Sequence, residues 1–481
     1  MWTLADLLAT YGPLETSSGE EETIFSGVTI DSRQSIPGGL FVALPGERYD
    51  GHDFIPEALE RGCRGALGRR DRLPLGRRAG LPVRVYEWDG ERWLRSGPQE
   101  APAVLVLVPE TLEALQRLAA RWRRRFSPVV IGVTGSVGKS TTKELIAAVL
   151  SRGRRALKSE RSYNNEIGLP LALLGLRPEH EVVVLEMGTY GPGEIAHLAE
   201  IARPHIGVVT NVSHSHLERM GTLETIARAK SELPAALPPD GLAVLNGDEA
   251  LIRDMAGVTR AAVLFYGLGQ DCHYRAEEVE SRGLEGIAFT LEAGGERRRL
   301  RCALPGRHSV YTALAAAAVG RHLGLSWDEI EAGLLDTSAQ IRLLAVPAAN
   351  GATLLDDTYN ASPTSCRAAL ELLSELPGRK VAVLGDMLEL GSYEEEGHRQ
   401  VGYWAAEVVE ELFLLGRRAR RIGEAALERG MPAGRVHFAR EREEVIRMLR
   451  ERLRPGDIVL VKGSRAMEME HIVAALRQKE D

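Results

Sequence analysis

The sequence predicts an α/β protein of three domains built around mostly parallel sheets, and three observations carry that reading. The chain has 481 residues, and about 150 residues per domain makes that roughly three domains. Short apolar runs rich in β-branched residues alternate with helical patterns, the arrangement of parallel α/β units. Hydrophobic residues make up 44% and charged residues 26%, so the chain can bury real cores, and disordered, collagen-like and coiled-coil readings are excluded.

In chain order, the first compact segment covers residues 28–66. Residues 83–88 and 91–95 then flank Asp89-Gly90, which predicts a hairpin with a two-residue turn, because both positions tolerate positive φ. The Ser96-Gly97-Pro98 stretch reads as a loop and sets a first boundary near Pro102. Buried strands are predicted at 104–108, 129–133, 182–185, 206–209, 242–245 and 262–265, with helices at 111–125, 140–152, 192–201, 223–237 and 326–335. A second boundary falls at 337–340. Beyond it lies another α/β block, with strands at 380–384 and 458–461 and a last helix around 468–478. The domains are therefore 1–102, 103–338 and 339–481, and no repeat of fixed period is visible.

Sixty basic against 67 acidic residues leave a net charge of -7, which gives no general reason to expect nucleic acid as a partner. Only seven of the sixty are lysines, Lys139, Lys143, Lys158, Lys230, Lys380, Lys462 and Lys479, leaving 53 arginines. Under such pressure toward arginine, a retained lysine draws attention to chemistry that a planar guanidinium cannot copy. Cys63, Cys272, Cys302 and Cys366 lack zinc or disulfide spacing and are expected to be buried free thiols in a reducing compartment. No secretory start and no stretch near the length of a membrane span is present, so a cytoplasmic protein with no membrane insertion is expected.

The strongest local signal is Val129-Val-Ile-Gly-Val-Thr-Gly-Ser-Val-Gly-Lys-Ser-Thr-Thr142, a strand running into a glycine-containing loop and a helix. Gly135 and Gly138 let backbone N–H groups turn toward a phosphate, Lys139 supplies a point charge and Ser140 a hydroxyl suited to Mg²⁺. Strict P-loop spacing would put glycine where Val133 stands, so this is a compressed variant. A nucleoside triphosphate such as ATP is the expected ligand. A second strand ends in Glu186, placed where open α/β sheets bind ligands and able to hold a metal there; a solvated acid is the alternative. A third ends in Asn211-Val-Ser-His-Ser-His-Leu-Glu218, with His216 as a candidate metal ligand beside His214. Lys230, on the 223–237 helix, would by itself read as a surface lysine. Leu355-Asp-Asp-Thr-Tyr-Asn-Ala-Ser-Pro363 and Val461-Lys-Gly-Ser-Arg465 each follow a strand and gather donors suited to nucleotide or carboxylate.

Together these strings resemble the Mur ligases over nearly the whole chain. The motifs are Asp31-Ser-Arg33, Gly46-Glu-Arg-Tyr-Asp-Gly-His52, the 135–140 loop, Asn164-Asn-Glu-Ile-Gly-Leu-Pro170, Glu186-Met-Gly188, residues 210–218, Ala229-Lys-Ser-Glu232, residues 356–363, Leu384-Gly-Asp-Met387 and Lys462-Gly-Ser-Arg465. Members that add L-Ala, D-Glu or a diamino acid carry an Asp-Tyr-Ala-His-type block where this chain reads Asp356-Asp-Thr-Tyr-Asn-Ala-Ser-Pro363, and the Asp-Asn-Pro-Arg string of the diamino-acid branch is absent. The resemblance thus points to the branch that adds D-alanyl-D-alanine.

What the resemblance implies is a central P-loop-type, mostly parallel sheet with a C-terminal Rossmann-like α/β domain, and an ATP-dependent ligation in peptidoglycan precursor synthesis. ATP would phosphorylate the peptide carboxylate of UDP-N-acetylmuramoyl-tripeptide, and the amine of D-Ala-D-Ala would attack the acyl phosphate. Lys139, Glu186, His216 and Lys230 would be catalytic. Two Mg²⁺ ions would be held by Ser140, Glu186, His216 and a carbamylated Lys230. Thr134, Gly135, Ser136, Val137, Gly138, Lys139, Ser140, Thr312, Arg342, Asp357 and Asn360 would meet ATP, with Tyr359 among the residues nearest D-Ala-D-Ala. Asp31, Ser32, Arg33, Asp50, Gly51, His52, Asn164 and Asn165 would meet the UDP substrate. Gly306-Arg-His-Ser-Val-Tyr-Thr312 matches a block that usually reads Gly-x-His-Asn-Val-x-Asn, so Ser309 and Thr312 depart from it where the last Asn would meet adenine. The partners implied are small molecules, and the chain a monomer. The alternatives are another ATP-dependent amide ligase, such as a folylpolyglutamate synthetase or sister Mur ligase, a nucleotide-binding regulatory protein, and a plain P-loop kinase.

Overall fold

Several apolar runs form strands that continue past the point where hydrophobicity stops, as in Val129–Thr134, Val182–Glu186, Leu242–Asn246 and Ile458–Lys462. The backbone ladder continues although the side chains turn polar. A computed structural model describes residues 2–13, 22–72, 82–98, 100–160, 162–215 and 217–478. It divides into two units: Met1–Val130 with Arg155–Met187 and Ala196–Pro204, and Ile131–Arg154 with Gly188–Ile195 and His205–Asp481.

In the first unit a six-stranded sheet runs in the order Val28–Thr29, Leu40–Val42, Gly65–Arg69, Ala103–Val108, Val83–Trp88, Trp93–Ser96. The first five strands are parallel and the last is antiparallel. Ala103–Val108, buried throughout, thus lies inside this sheet, between Gly65–Arg69 and Val83–Trp88. A boundary at Pro102 would cut the sheet, and pairing carries the first segment through Val108. The hairpin exists, but its turn is wider than two residues: Trp88 pairs with Trp93, and Asp89 Oδ1 accepts from the amides of Glu91 and Arg92, each at 2.9 Å. The Asp89 side chain, rather than a tight glycine turn, closes the loop. The unit also contains the helices Thr111–Arg123 and Gly168–Leu174 and the parallel pair Ala156–Lys158 with Val182–Glu186.

In the second unit, strands run in the order Val129–Thr134, Ile206–Val209, Leu242–Asn246, Ala262–Gly267, Tyr274–Ser281, parallel, followed by Ile287–Ala293 and Glu296–Cys302, antiparallel. The last strand exposes Arg297, Arg298, Arg299 and Arg301, which pair with Glu277, Glu296, Glu280 and Glu331. Helix Ser309–His322 is alanine-rich and largely buried, as its lack of a polar face requires. It and helix Trp327–Leu334 lie against helix Lys139–Leu150; a Cβ on Gly333 would come within 2.3 Å of Val149 Cα, so only glycine allows this approach. A further sheet runs Leu344–Pro347, Thr353–Asp357, Ile458–Lys462, Lys380–Gly385, Glu411–Leu415, Val436–Ala439, parallel except for its first strand. Cys63, Cys302 and Cys366 are buried free thiols, but Cys272 is only partly covered, with Sγ 3.9 Å from Asp248 Oδ1. Among the described residues no helix is long and apolar enough to cross a membrane.

Candidate active site

In the first unit, Asp31 caps the short 3-10 helix Ser32–Gln34, and Arg33 grips the same carboxylate with two bonds of 2.9 and 2.8 Å. Those bonds hold the Asp31 carboxyl below the usual carboxylate range. Ser32 is buried, donating to Glu57 at 3.0 Å. Asp50 caps the next short helix, Gly51–Phe54, where a Cβ on Gly51 would lie 2.7 Å from the Leu44 nitrogen. His52 is buried with both ring nitrogens committed to protein: Nε2 accepts from the Arg69 amide at 2.8 Å, so Nδ1 donates to Asp50 at 2.5 Å. His52 thereby ties the Asp50 turn to the strand Gly65–Arg69.

Glu186 ends its strand buried, its Oε1 accepting from Asn164 Nδ2 at 2.7 Å and its amide donating to Ser159 Oγ at 3.3 Å. Asn164 thus orients Glu186. Asn165 Oδ1 instead accepts from the amide of Gly168 at 2.9 Å, where the helix Gly168–Leu174 begins.

In the second unit, Val209 pairs with Thr134, so Thr210 stands beside Gly135 and Asn211 beside the loop that follows. Gly135 has φ +148°, and a Cβ there would come within 1.9 Å of Thr210 Oγ1. Gly138 takes the left-handed region, φ +82°, just before helix Lys139–Leu150. These are the two glycines the loop requires. Lys139 Nζ folds over the loop and donates to the carbonyls of Gly135 and Ser136, at 2.9 and 3.1 Å. The Ser136 and Val137 amides donate to Asn211 O and Oδ1 at 2.9 and 2.8 Å. Those two amides are engaged within the protein by Asn211. Donors for an anion are then concentrated at the helix start, Gly138 to Ser140, where the helix dipole adds to them.

Lys230 is no surface lysine: it is buried, and burial, reinforced by the Lys139 charge, pushes its ammonium well below the ordinary lysine range. His216 lies outside the described residues. His214 is stacked on Tyr393, ring centroids 3.9 Å apart. In the last sheet Lys462 is buried, donating to Asp357 Oδ2 at 2.5 Å and the Asn360 carbonyl at 3.0 Å. Asn360 Oδ1 accepts from the Ala361 amide, and the Arg342 guanidinium lies over the Tyr359 ring, 3.3 Å from its centroid. Ser309, where the family block has Asn, is buried and donates to the Pro305 carbonyl at 2.7 Å, so it closes the turn before its helix; Thr312 remains half-buried one turn on. Among the described residues no group of three or more His, Cys, Asp or Glu forms a metal centre. Thr210 and Asn211, placed by the sequence in the 210–218 motif without a role, are loop-shaping residues. Their position at the end of the strand next to the loop strand was the signal for that role.

A half-buried glycine loop opening a helix at the carboxyl end of parallel strands defines a nucleotide-dependent enzyme. Residues 24–123 match the family description "Mur ligase family, catalytic domain", 133–320 "Mur ligase middle domain" and 341–465 "Mur ligase, glutamate ligase domain". The UDP-N-acetylmuramoyl-tripeptide--D-alanyl-D-alanine ligase of Bacillus subtilis is 36% identical over 95% of this chain and 94% of its own. Among solved structures, MurF from Acinetobacter baumannii superposes with a TM-score of 0.80 at 29% identity, covering 99% of each chain. MurF ligase from Thermotoga maritima, in complex with ADP, gives 0.75 at 28%, covering 93% of this chain and 96% of that one. The chain belongs to the Mur ligase family.

Proposed function

We propose that this chain joins D-alanyl-D-alanine to UDP-N-acetylmuramoyl-tripeptide with ATP, releasing ADP and phosphate. The observation that carries the reading is the 135–140 loop, shaped for an anion at a helix start, in a chain whose B. subtilis relative of that name aligns over nearly its full length. The ADP complex of the T. maritima relative supports ATP as the nucleotide.

A carboxylate oxygen of the tripeptide attacks the γ-phosphorus, the bond to the β-phosphate oxygen breaks and ADP leaves. The dipeptide amine attacks the acyl carbon, phosphate departs, and the nitrogen loses a proton. Two anions must meet in the first step, so positive charge is indispensable. Lys139 supplies it, released from its loop carbonyls toward the polyphosphate. By the resemblance Mg²⁺ would be held by the Ser140 hydroxyl and the Glu186 carboxylate, donor types that suit it because it binds hard oxygens and takes further ligands from phosphates and water. When bound it would screen the phosphate charge, with His216 and a carbamylated Lys230 as ligands of a second ion. Burial favours the neutral Lys230 amine, the form that attacks CO₂ and loses a proton to give the carbamate. Arginine cannot form that group.

In this reading residues through Val108 receive the UDP portion, the central segment to about 338 binds ATP, and 339–481 brings D-Ala-D-Ala with Arg342, Asp357, Tyr359 and Asn360 nearest. The protein works as a soluble monomer in the cytoplasm. The test is phosphate release from ATP with the tripeptide substrate and D-Ala-D-Ala supplied separately and together. Release that needs both is expected; release that needs neither overturns the reading.

A further inference from the structure

The middle of the phosphate loop is shaped from outside, by residues 210–213. Asn211 grips the Val137 backbone at two points: Oδ1 accepts from the Val137 amide and Nδ2 donates to the Val137 carbonyl, each at 2.8 Å. Thr210 Oγ1 donates to the same carbonyl at 2.8 Å. Ser136 and Ser213 are reciprocally tied, Ser136 Oγ donating to Ser213 O at 3.2 Å and accepting from the Ser213 amide at 2.9 Å.

The 210–213 segment is itself pinned from its other side. Asn246 Nδ2 donates to Thr210 O at 3.0 Å, Glu249 Oε2 accepts from the Val212 amide at 2.9 Å, and the Tyr266 hydroxyl donates to Val209 O at 3.1 Å. These contacts fix the segment against the neighbouring strand ends, so what it grips cannot drift. We infer that Asn211 is a positioning residue for nucleotide binding: its amide fixes the Val137 N–H and C=O, which lie in the two successive peptide groups flanking the Val137 Cα, and through the second of them the direction in which Gly138 and the first turn of helix Lys139–Leu150 present their donors. An amide suits both contacts, because it accepts through its oxygen from the Val137 N–H while it donates through its nitrogen to the Val137 carbonyl. A carboxylate accepts from the Val137 amide but faces the Val137 carbonyl with like charge, and it adds a negative charge beside a site for polyphosphate. The inference rests on the nucleotide reading given above.

The experiment compares MgADP affinity by calorimetry in the full chain and in Asn211→Asp, which is isosteric. A loss of about 10- to 100-fold is expected, with KM for ATP rising in step while KM for the tripeptide substrate and D-Ala-D-Ala hold within about twofold. A folded variant that binds MgADP as tightly as the original overturns the inference. An original chain that binds no MgADP overturns the nucleotide reading instead, so the two failures are distinct. Hydrogen exchange on the unaltered chain needs no variant: the Val137 amide is expected to be protected before any nucleotide is added, and fast exchange there that slows only with MgADP also overturns the clamp.

Discussion

Lys230 and Lys462 are both buried, at 3% and 2% exposure, in two regions that use one side chain in opposite ways. Lys462 ends the strand Ile458–Lys462, where parallel register sets it opposite Asp357, and it bonds that carboxylate and the Asn360 carbonyl. It is a cation whose partners come with the sheet. Lys230 stands on helix Leu223–Ala235, where burial and the charge of Lys139 both act against its ammonium, and no acid among the described residues enters on its side. A buried cation with a matched anion holds architecture together, whereas a buried amine without one is held ready to react or to be modified.

Three measurements break or sharpen that contrast. The largest effect is expected from Lys462→Met, which strands Asp357 as an uncompensated acid and costs about 3–5 kcal/mol in urea unfolding; Asp357→Asn combined with Lys462→Met recovers most of it. A tolerated Lys462→Met would remove the distinction from one side. Next, Lys230→Met is expected to fold as stably as the original chain yet lose about 10²-fold or more in kcat, and bicarbonate, which stimulates the original enzyme in CO₂-depleted buffer, leaves the variant unmoved. Full activity in Lys230→Met would remove the distinction from the other side.

The smallest effect is a pH slope. The Lys230 pKa in the folded chain lies well below the ordinary lysine value of 10.5, so between the two the unfolded chain binds the extra proton. Stability therefore rises with pH across that window, by at most about 1.4 kcal/mol per unit, and the contribution is flat below the folded value, where both states are protonated. Subtracting the Lys230→Met profile from that of the original chain, in CO₂-free buffer, isolates the slope. A flat difference would show that Lys230 keeps its charge when folded.

Much of the fold was legible because parallel strands buried on both faces leave continuous apolar runs, and Ile206–Val209 matches its expected bounds. Four expected strands ended one residue early because the next residue was polar, at Thr134, Glu186, Asn246 and Lys462. Those residues face the carboxyl edge, where polarity is the point, and backbone pairing does not depend on it. Gly135, Gly138 and Lys139 were readable since their neighbours in sequence are their neighbours in space. Asn211 was not, because its partner Val137 lies 74 positions away and only the register of two strands brings them together. Pairing also decided the place of Ala103–Val108, whose composition fits either sheet. The hairpin turn was misjudged because Gly90 suggested backbone flexibility, while the Asp89 carboxylate does the closing.

The arginine-lined strand Glu296–Cys302 bears on how the molecule behaves in a crowded solution. Last in its ladder, it offers an unpaired backbone edge that could template another chain. Four guanidinium groups stand along it, each tethered to an acid of the same molecule, so an incoming strand would have to displace bulky, hydrated, already neutralised side chains. The arginine excess thereby protects colloidal behaviour at no cost in net charge, leaving the scarce lysines to the places where an amine is needed.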